Sequence, residues 1–408
     1  MIVIENIFLV TTTVLLFQIT RNISMVGYVG ILLMAYLCLY IVYFHKRGNV
    51  APSLLGGVFL LTLLWIPVIS LAHMDPSKYL IAFTRYCITL PFVFFMFIYN
   101  QYSFSLVTRV LRVLCVYMAC AALSIPYQIM FGPISFFAES SFRDGLVRYA
   151  SLAGSLTALG TLGSFALAIL LFSGDLLFSR RNKNFLIAII LTGMLMSLQK
   201  AAVVNIIICF AAFVLMNDQI SFSRKISVIV GIFLIAFVLD LMFDDSPFSI
   251  YVQSLFDYTF SETSVGVSQD LASRLWHRPQ SVVNYHKIRL SSVVLGIGFP
   301  ALGGILGLAH LPMSHNNYFD LLFSGGIIHF LSFLLLLGKV IIGTVRKRLA
   351  QSRLNQIDRA YFVVTLLIMG NMVIGAASFY QPISSVFTFW IICSYKRATD
   401  LLDKRSVS

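Results

Sequence analysis

Charged residues are scarce in this sequence. Asp, Glu, Lys and Arg together make up 11% of its 408 residues, whereas a typical soluble domain carries roughly 25%. Hydrophobic residues make up 59%. Because so few polar side chains cannot cover the surface of a water-soluble chain of this length, the composition excludes the soluble and disordered classes and predicts an integral membrane protein.

Cysteine is scarce as well, and its positions exclude two further classes of site. All six cysteines lie inside apolar runs, without the paired spacing that frames disulfides or zinc sites. No two histidines stand four residues apart, as they do on a metal-binding helix. We therefore expect no metal site, no cofactor, and six packing cysteines: Cys38, Cys87, Cys115, Cys120, Cys209 and Cys393.

The apolar residues form continuous runs rather than alternating ones. A helix needs about 20 apolar residues to cross the hydrocarbon layer, and continuous runs favour helices over barrel strands. The sequence predicts an all-α, polytopic membrane protein with about twelve transmembrane helices and one large outer loop. The predicted spans are 2–19, 24–44, 51–72, 80–99, 105–130, 150–174, 185–199, 201–216, 226–243, 320–343, 361–378 and 383–395.

The spacing of these runs divides the chain into three regions. Residues 1–243 form an N-terminal bundle of about nine spans, residues 244–313 form the large outer loop, and residues 314–408 form a C-terminal bundle of about three spans. The first run lacks the charged start and the small-residue cleavage site of a removable signal peptide, so we expect it to be a retained span.

The formal net charge of +13 would suggest nucleic-acid binding in a soluble protein, but in a membrane protein it reports topology. When the loops are assigned alternately to the two sides, one set holds 18 of the 29 basic residues. The positive-inside rule makes those loops cytoplasmic, which places both termini in the cytoplasm. We expect membrane lipid around the chain and no nucleic-acid partner.

Most of the other basic residues stand on the outer side, against this bias. They belong mainly to two outer loops, 131–149 and 244–313, or to a bend at Lys200. The longer loop is acidic in its first half and basic in its second half, and this polarity predicts an ordered segment rather than a tether. Four candidate site features lie on this side.

Two of these features precede apolar runs. Arg148 begins Arg-Tyr-Ala-Ser-Leu-Ala-Gly-Ser (148–155), whose small residues let the next span approach its neighbours closely. Alternatively, Arg148 is an interfacial anchor. Lys200 ends Ser-Leu-Gln-Lys (197–200), a polar patch between two short runs, where a charge is costly unless it meets a partner or a ligand. Alternatively, the two runs are separate spans and Lys200 is a loop residue at the interface.

The third feature is Ser-Arg-Leu-Trp-His-Arg (273–278), followed by Leu-Gly-Ile-Gly-Phe-Pro (295–300). Guanidinium groups match the oxygens of a phosphate, and an indole can stack on a sugar face. Arg274, Arg278 and Trp276 therefore suit a diphosphate joined to a sugar. The paired glycines are weak evidence for a nucleotide, because the third glycine of the dinucleotide fingerprint and its strand-helix context are missing.

The fourth feature is Ser-His-Asn-Asn-Tyr-Phe-Asp (314–320), which leads directly into an apolar span. His315 stands at the mouth of that helix, with Asn316, Tyr318 and Asp320 around it. A histidine with an ordinary pKa of about 6.5 is a natural general base at neutral pH. A lone histidine near an apolar face is more often structural, but its position at a helix entrance, on the side of several outer arginines, favours catalysis.

The order of these elements resembles the bacterial O-antigen polymerase and O-antigen ligase superfamily (the Wzy and WaaL types). The shared pattern runs from Arg148 to about Phe330. The resemblance implies a metal-independent, GT-C-like, inverting glycosyltransferase of the bacterial inner membrane, which takes a glycan from undecaprenyl diphosphate at the periplasmic face. It also implies that Arg148 and Arg274 hold the diphosphate and that His315 is catalytic.

Two positions depart from the family pattern. The family usually has Ser-Arg in the bend where this chain has Gln199 and Lys200, so a two-pronged phosphate contact there becomes a point charge. The second glycine of the usual Gly-Ile-Ile-Gly ending is His329 here. This substitution changes the place where the family brings two helices close together.

The residues fit the implied chemistry. A glycosyl diphosphate leaves readily when cations meet the charge that develops on it, and the candidate cations are Arg148, Arg274, Arg278 and Lys200. The acceptor is a sugar hydroxyl, whose proton His315 would take. Asp320 or Glu139 could orient that histidine or replace it, and Asn316, Tyr318 and Trp276 could support the site.

The motifs leave the acceptor open. A polymerase would use another carrier-linked repeat unit, with a chain-length regulator as a candidate partner, whereas a ligase would use lipid A-core. We prefer the polymerase. A different class, a transporter of lipid-linked sugars, would place charges near the bilayer midplane on broken helices and show repeated halves, and this sequence shows neither feature.

Overall fold

The structure, a computed structural model, describes most of the membrane-embedded chain and the second half of the large outer loop. The described residues are 2–16, 29–37 except 31, 52–99, 103–134, 140–154 except 144 and 145, 158–217 except 198, four positions between 221 and 227, 277–351 except 307, 309, 310, 313 and 315, 354–374, and 380–407. Of the predictions, most of spans 24–44 and 226–243, the acidic half of the outer loop, and Glu139, Arg274, Trp276 and His315 lie outside these residues.

Nearly all of the described chain is helical. Its helices are α1 (Ile2–Leu16), α2 (Leu54–Ser70), α3 (Pro76–Ile98), α4 (Phe104–Phe131), α5 (Ala158–Leu177), α6 (Arg180–Met196), α7 (Lys200–Leu215), α8 (Arg278–His286), α9 (Leu290–Leu295), α10 (Asn317–Gln351), α11 (Gln356–Ile374) and α12 (Pro382–Val407). A 3-10 segment covers Phe299–Leu306, and one hairpin pairs β1 (Ser140–Arg143) with β2 (Leu146–Tyr149) in antiparallel register.

Three of the helices have a serine as their N-cap, the residue just before the first helical one. The side chains of Ser53, Ser103 and Ser179 each accept a hydrogen bond from a backbone N–H in the first turn of α2, α4 and α6. A helix start leaves four N–H groups without an internal partner, and each cap satisfies one of them. The capping serines therefore fix where these helices begin.

Four of the described helices, α3, α4, α5 and α10, are long and apolar enough to cross a membrane, and α1, α2 and α7 are shorter apolar helices. The structure thus confirms the prediction of a helical membrane protein. Helix α10 extends beyond the predicted span 320–343 to Gln351 and carries the basic cluster that follows that span. The total of about twelve spans stays a prediction.

The predicted span 150–174 was wrong at its start, because α5 begins only at Ala158. The preceding residues bind α4 instead of forming a helix. Gln128 Nε2 donates to the Ala150 carbonyl at 2.9 Å, and the Leu152 N–H donates to Ser124 Oγ at 3.1 Å. These long-range hydrogen bonds satisfy the backbone in a non-helical conformation.

The bend at Lys200 separates two helices. Helix α6 ends at Met196, where the Ser197 N–H still bonds to the Gly193 carbonyl at 3.0 Å, and α7 begins with Lys200. The structure shows two short helices in this region, and Lys200 is the first residue of the second.

Basic residues predicted on the inner side bind the ends of helices there. Arg112 Nε donates to the Leu177 carbonyl, the last of α5, at 2.6 Å. Glu5 on α1 is 3% exposed and accepts from Ser103 Oγ at 2.7 Å and from Arg109 Nη2 at 3.3 Å. Positive charge near a helix C-terminus is favourable, so Arg112 stabilises the end of α5, and Arg109 pairs with the buried Glu5 carboxylate.

An aromatic cluster joins the first and last described helices. The Phe8 ring of α1 lies 5.1 Å from both Phe92 and Phe95 of α3 and 5.3 Å from Trp390 of α12, measured between ring centroids. Rings at this separation attract beyond their hydrophobic burial. The two ends of the chain are thereby packed into one core.

Helices α4 and α6 approach most closely at Gly193, where an added Cβ would stand 2.5 Å from Ala122 Cβ. We expect Gly193→Ala to force the helices apart and to lower the free energy of unfolding by about 1–3 kcal/mol. Gly338→Ala in α10 is the matched control, because its new Cβ meets no atom within 4 Å in the described part of the chain. Alanine is the better helix former, so this control is expected to be neutral or stabilising by up to about 1 kcal/mol. Thermal unfolding in detergent compares the two, and equal losses would contradict the packing difference.

Candidate active site

The turn before α10 is the best-defined part of the predicted site. Asp320 is 3% exposed, and its Oδ1 accepts a hydrogen bond from Ser314 Oγ at 2.6 Å. Asn316 caps α10, since its Oδ1 accepts from the Tyr318 N–H at 3.1 Å and its carbonyl accepts from the Asp320 N–H at 3.0 Å. Ser314 Oγ also accepts from the Asn316 N–H at 3.0 Å. The two neighbours of His315 along the chain are therefore held in fixed positions.

Two residues predicted as support have identifiable partners. The Tyr318 hydroxyl donates to the Met369 carbonyl of α11 at 2.9 Å, which ties the start of α10 to that helix. The Asp320 carboxylate is buried against Ser314. The Asp320 carboxylate is thus held by the turn at the start of α10.

Helix α10 breaks at Gly326, whose φ is 78° and ψ is −177°. The break frees the carbonyls of Phe323 and Ser324, which a continuous helix would pair one turn later. They accept instead from the Ile297 N–H at 2.7 Å and the Gly298 N–H at 3.0 Å. The outer-loop segment Leu295–Phe299, here called the clasp, thus completes the broken helix.

Helix α2 holds the clasp from the other side. Trp65 Nε1 donates to the Leu295 carbonyl at 2.8 Å, and the Phe299 N–H donates to Ser70 Oγ at 2.8 Å. Ser70 in turn donates to the Ile66 carbonyl within α2 at 2.6 Å. The clasp is therefore fixed between two membrane helices.

Glycine is required where the clasp and the break meet. Gly296, Gly298 and Gly326 have φ values of 83°, 74° and 78°, a region that side chains rarely adopt. A Cβ at Gly326 would collide with the Val294 carbonyl, and one at Gly296 with the Ser324 carbonyl. The glycines of Gly-Ile-Gly (296–298) thus allow the backbone of the clasp to hydrogen-bond to the backbone of α10.

A hydrogen-bonded chain of side chains spans the same break. His329 Nδ1 lies 2.8 Å from Thr62 Oγ1, and its Nε2 lies 3.0 Å from the Tyr380 hydroxyl. That hydroxyl lies 2.7 Å from Ser324 Oγ. The imidazole also stacks on the Phe59 ring at a centroid distance of 5.0 Å. His329, Ser324 and Tyr380 are all buried, and Thr62 is half-buried at the α2 end of the chain.

Two of the hydroxyls in this chain also have a backbone acceptor. Thr62 Oγ1 lies 2.7 Å from the Phe59 carbonyl, and Ser324 Oγ lies 3.4 Å from the Leu321 carbonyl. The imidazole links α2 to Tyr380 whichever of its two nitrogens carries the proton.

The histidine at 329 replaces the close glycine contact that the resemblance implied there. Its side chain folds back over Gly325, where an added Cβ would stand 2.5 Å from His329 Cγ. The link between α10 and α2 at this level is consequently polar and aromatic. Sequence reasoning noted His329 only as a departure and missed Thr62, Ser70 and Tyr380 altogether.

The described residues in the basic half of the outer loop dock on the start of α10. A small hydrophobic cluster joins them, and its buried members are Val282 of α8, Ile297, Ala301 and Phe323 of α10, with Phe319 packed against them. Arg278 is the first residue of α8, one helical turn before Val282. The cluster packs α8, which begins at Arg278, against α10, which begins two residues after His315 in the sequence.

Arg148 and Lys200 are described by their backbone positions. Arg148 lies on β2 opposite Ser141 of β1, two residues before the segment that binds α4. Lys200 is the first residue of α7. Arg148 is therefore on a hairpin at the outer end of α4 and α5, and Lys200 is at a helix N-terminus on the same side.

Gln199, beside Lys200, has a structural role. It is 2% exposed, and its Oε1 accepts from the Gly160 N–H in the first turn of α5 at 2.7 Å. Asn205 Nδ2 donates to the Gly160 carbonyl at 3.1 Å and to Asn371 Oδ1 at 3.0 Å. Gln199, which departs from the family pattern, thus caps α5. Its partner Gly160 also belongs to a buried polar link between α5, α7 and α11.

Among the residues that the structure describes, no group of three or more His, Cys, Asp or Glu side chains is placed to hold a metal ion. Comparison of the sequence with protein-family models found no match, and comparison with curated proteins found none either. Any assignment of function therefore depends on the residues and their geometry.

The hydrogen-bonded chain at the break predicts a local effect of Tyr380→Phe. Loss of this hydroxyl removes the hydrogen-bond partner of the buried His329 Nε2, at a cost of about 1–3 kcal/mol, and breaks the link between Ser324 and α2. We expect faster amide hydrogen exchange in both the clasp and residues 323–326. Tyr361→Phe is the matched control, because it removes a buried hydroxyl that lies 2.9 Å from Ser394 Oγ, away from the break. Similar exchange at the clasp in both variants would contradict the linkage.

The docking of α8 is predicted to depend on pH. Burial lowers the pKa of His286, the last residue of α8, nearby His73 lowers it further, and the Pro300 carbonyl opposes the shift. The undocked imidazole has an ordinary pKa of about 6.5, so the undocked state binds the proton more readily. Docking is therefore most stable above a pH of about 6.5. It weakens as the pH falls from there toward the lower pKa of the docked imidazole.

Hydrogen exchange of residues 278–286, corrected for the intrinsic effect of pH, measures this undocking between pH 7.5 and 5. His286→Gln is expected to abolish the dependence. His277→Gln, at an exposed position next to the start of the same helix, is expected to retain it. A dependence that survives in the His286 variant would refute the assignment.

Proposed function

We propose that the chain is an O-antigen polymerase, an inverting, metal-independent glycosyltransferase that joins undecaprenyl-diphosphate-linked repeat units. The observation that carries this proposal is the docking of α8 on the start of α10 through the cluster of Val282, Ile297, Ala301 and Phe323. It supports the proposal because a loop helix that begins with an arginine is packed against the helix entrance that follows His315. A diphosphate contact and a base can then act on one substrate.

The proposed roles follow from charge and proton transfer. Arg148, Arg274, Arg278 and Lys200 are the proposed cations that meet the diphosphate as its bond to the sugar breaks. His315 takes the proton of the acceptor hydroxyl as the new glycosidic bond forms. Asp320 acts indirectly, since its bond to Ser314 holds the turn on which the histidine stands.

The proposal includes an orientation and a fold. About twelve spans in a GT-C-like arrangement would place both termini in the cytoplasm and the site at the periplasmic face of the bacterial inner membrane. The gathering of basic residues at one end of the bundle supports it: Arg112 binds the end of α5, and Arg359 Nη1 donates to Met216 O at the end of α7 at 2.8 Å. The basic residues of α10 lie near its C-terminus, and the turn that carries the candidate site precedes its N-terminus.

An O-antigen ligase is the alternative. It would perform the same chemistry on the same carrier and differ only in the acceptor, lipid A-core instead of a second carrier-linked unit. Both the base and the diphosphate contacts would be shared, so the acceptor must be distinguished by assay.

A transporter of lipid-linked sugars is the second alternative, and the break in α10 is the one observation that favours it. Transporters use broken helices to present free backbone groups to a substrate. Here the freed carbonyls of Phe323 and Ser324 already accept from the clasp. The break therefore serves internal pairing, which supports the enzyme over the transporter.

The decisive test uses purified protein in lipid with a carrier-linked repeat unit, with and without lipid A-core. Wild type is expected to lengthen the carrier-linked glycan without lipid A-core. We expect His315→Ala and Arg274→Ala to lose at least about 100-fold in rate, the size of effect seen when a general base or an electrostatic contact is removed. Arg289→Ala, which removes an exposed loop cation outside the proposed site, is the matched control and is expected to retain activity.

Transfer that requires lipid A-core would identify a ligase instead. Full activity in both the His315 and Arg274 variants, with wild-type folding by thermal unfolding, would end the site assignment. Glycan movement across the membrane without any new glycosidic bond would support the transporter.

A further inference from the structure

A cavity of about 290 Å³ lies at the basic end of the bundle, between the last turns of α7 and α10 and the first turns of α11. Its wall is mainly apolar and includes Leu215, Val345, Leu349 and Phe362. Three cations also line it: Lys225, Arg348 and Arg359. Apolar wall and positive charge thus meet in one small space.

Two of these cations are held in place by the end of α7. Lys225 Nζ donates to the Leu215 carbonyl at 2.7 Å, and Arg359 Nη1 donates to the Met216 carbonyl at 2.8 Å. The last carbonyls of a helix attract positive groups, so the charges are fixed at the cavity wall. An ammonium has three N–H donors and a guanidinium has five, which leaves these heads able to bind an anion as well.

Among the residues that the structure describes, no acidic side chain lines the cavity. Asp358 precedes Arg359 in α11, is 1% exposed, and its Oδ2 lies 3.6 Å from Lys347 Nζ. The ionisable side chains of the described wall are therefore all basic.

The mouth of the cavity carries exposed apolar side chains. Leu215, Val345 and Leu349 line it and are 49%, 45% and 82% exposed. Exposed apolar side chains favour an apolar neighbour over water. An occupant that satisfies both the apolar mouth and the cations must have acyl chains joined to an anionic head.

We propose that this cavity binds the phosphate head of an anionic phospholipid, with its acyl chains along the exposed face of α10. The volume is at the lower limit of the roughly 300–1,000 Å³ of ligand sites, which suits a head group rather than a whole lipid. Basic pockets between membrane helices are a recognised setting for anionic lipid heads. This inference does not depend on the proposed reaction, because the cavity lies at the opposite end of α10 from the turn that precedes it.

Native mass spectrometry of the full chain in detergent, with dioleoyl phosphatidylglycerol or dioleoyl phosphatidylcholine added, tests the proposal. Wild type is expected to retain phosphatidylglycerol at least about fivefold more tightly, the effect of one cation at a lipid surface. Arg348→Gln is expected to remove most of this preference, and Arg348→Lys to keep most of it. Arg348 is exposed, so these variants are expected to fold.

Arg346→Gln is the matched control, because Arg346 is an exposed arginine of the same helix that does not line the cavity. It is expected to bind phosphatidylglycerol as wild type does. Equal retention of the two lipids by wild type, or equal losses in the Arg346 and Arg348 variants, would overturn the proposal. Displacement of the lipid by millimolar glycerol 3-phosphate would also overturn it, since the site would then bind a soluble anion.

Discussion

Hydrocarbon offers no hydrogen bonds, so a membrane helix can be broken only where other protein groups replace the lost ones. The break at Gly326 meets this constraint through the clasp, whose N–H groups at Ile297 and Gly298 bind the carbonyls of Phe323 and Ser324. The dependence is mutual, because the N–H groups of the clasp also need partners. The described second half of the outer loop is therefore an integral part of the bundle.

Side-chain hydrogen bonds also connect α10 to α2 close to the break at Gly326. Hydrogen bonds join Ser324, Tyr380, His329 and Thr62 into one chain from the break to α2. Only a short part of α10 precedes the break, and the turn with Ser314 and Asp320 lies at its start. The position of the candidate site is consequently set by α2 and by the connection between α11 and α12, which lie outside the sequence motif itself.

Much of this fold could be predicted from local sequence, and much of the site could not. Apolar runs predicted the long helices because hydrocarbon demands them. The start of α5 was wrong because Ala150 and Leu152 bind side chains of α4. Thr62 and Tyr380 were missed because they lie 267 and 51 residues from His329, and no local pattern reports such pairing.

The two halves of the candidate site are held with different strength. The turn before α10 is anchored by buried hydrogen bonds to Ser314, Asn316 and Asp320 and by Tyr318 to α11. Helix α8 is attached by a cluster with few buried members and ends in His286, whose burial lowers its pKa. Segments with few buried contacts open at the lowest free-energy cost. We therefore expect the arginine-bearing loop helix, rather than the turn, to adjust if the proposed lipid-linked substrate binds at this site.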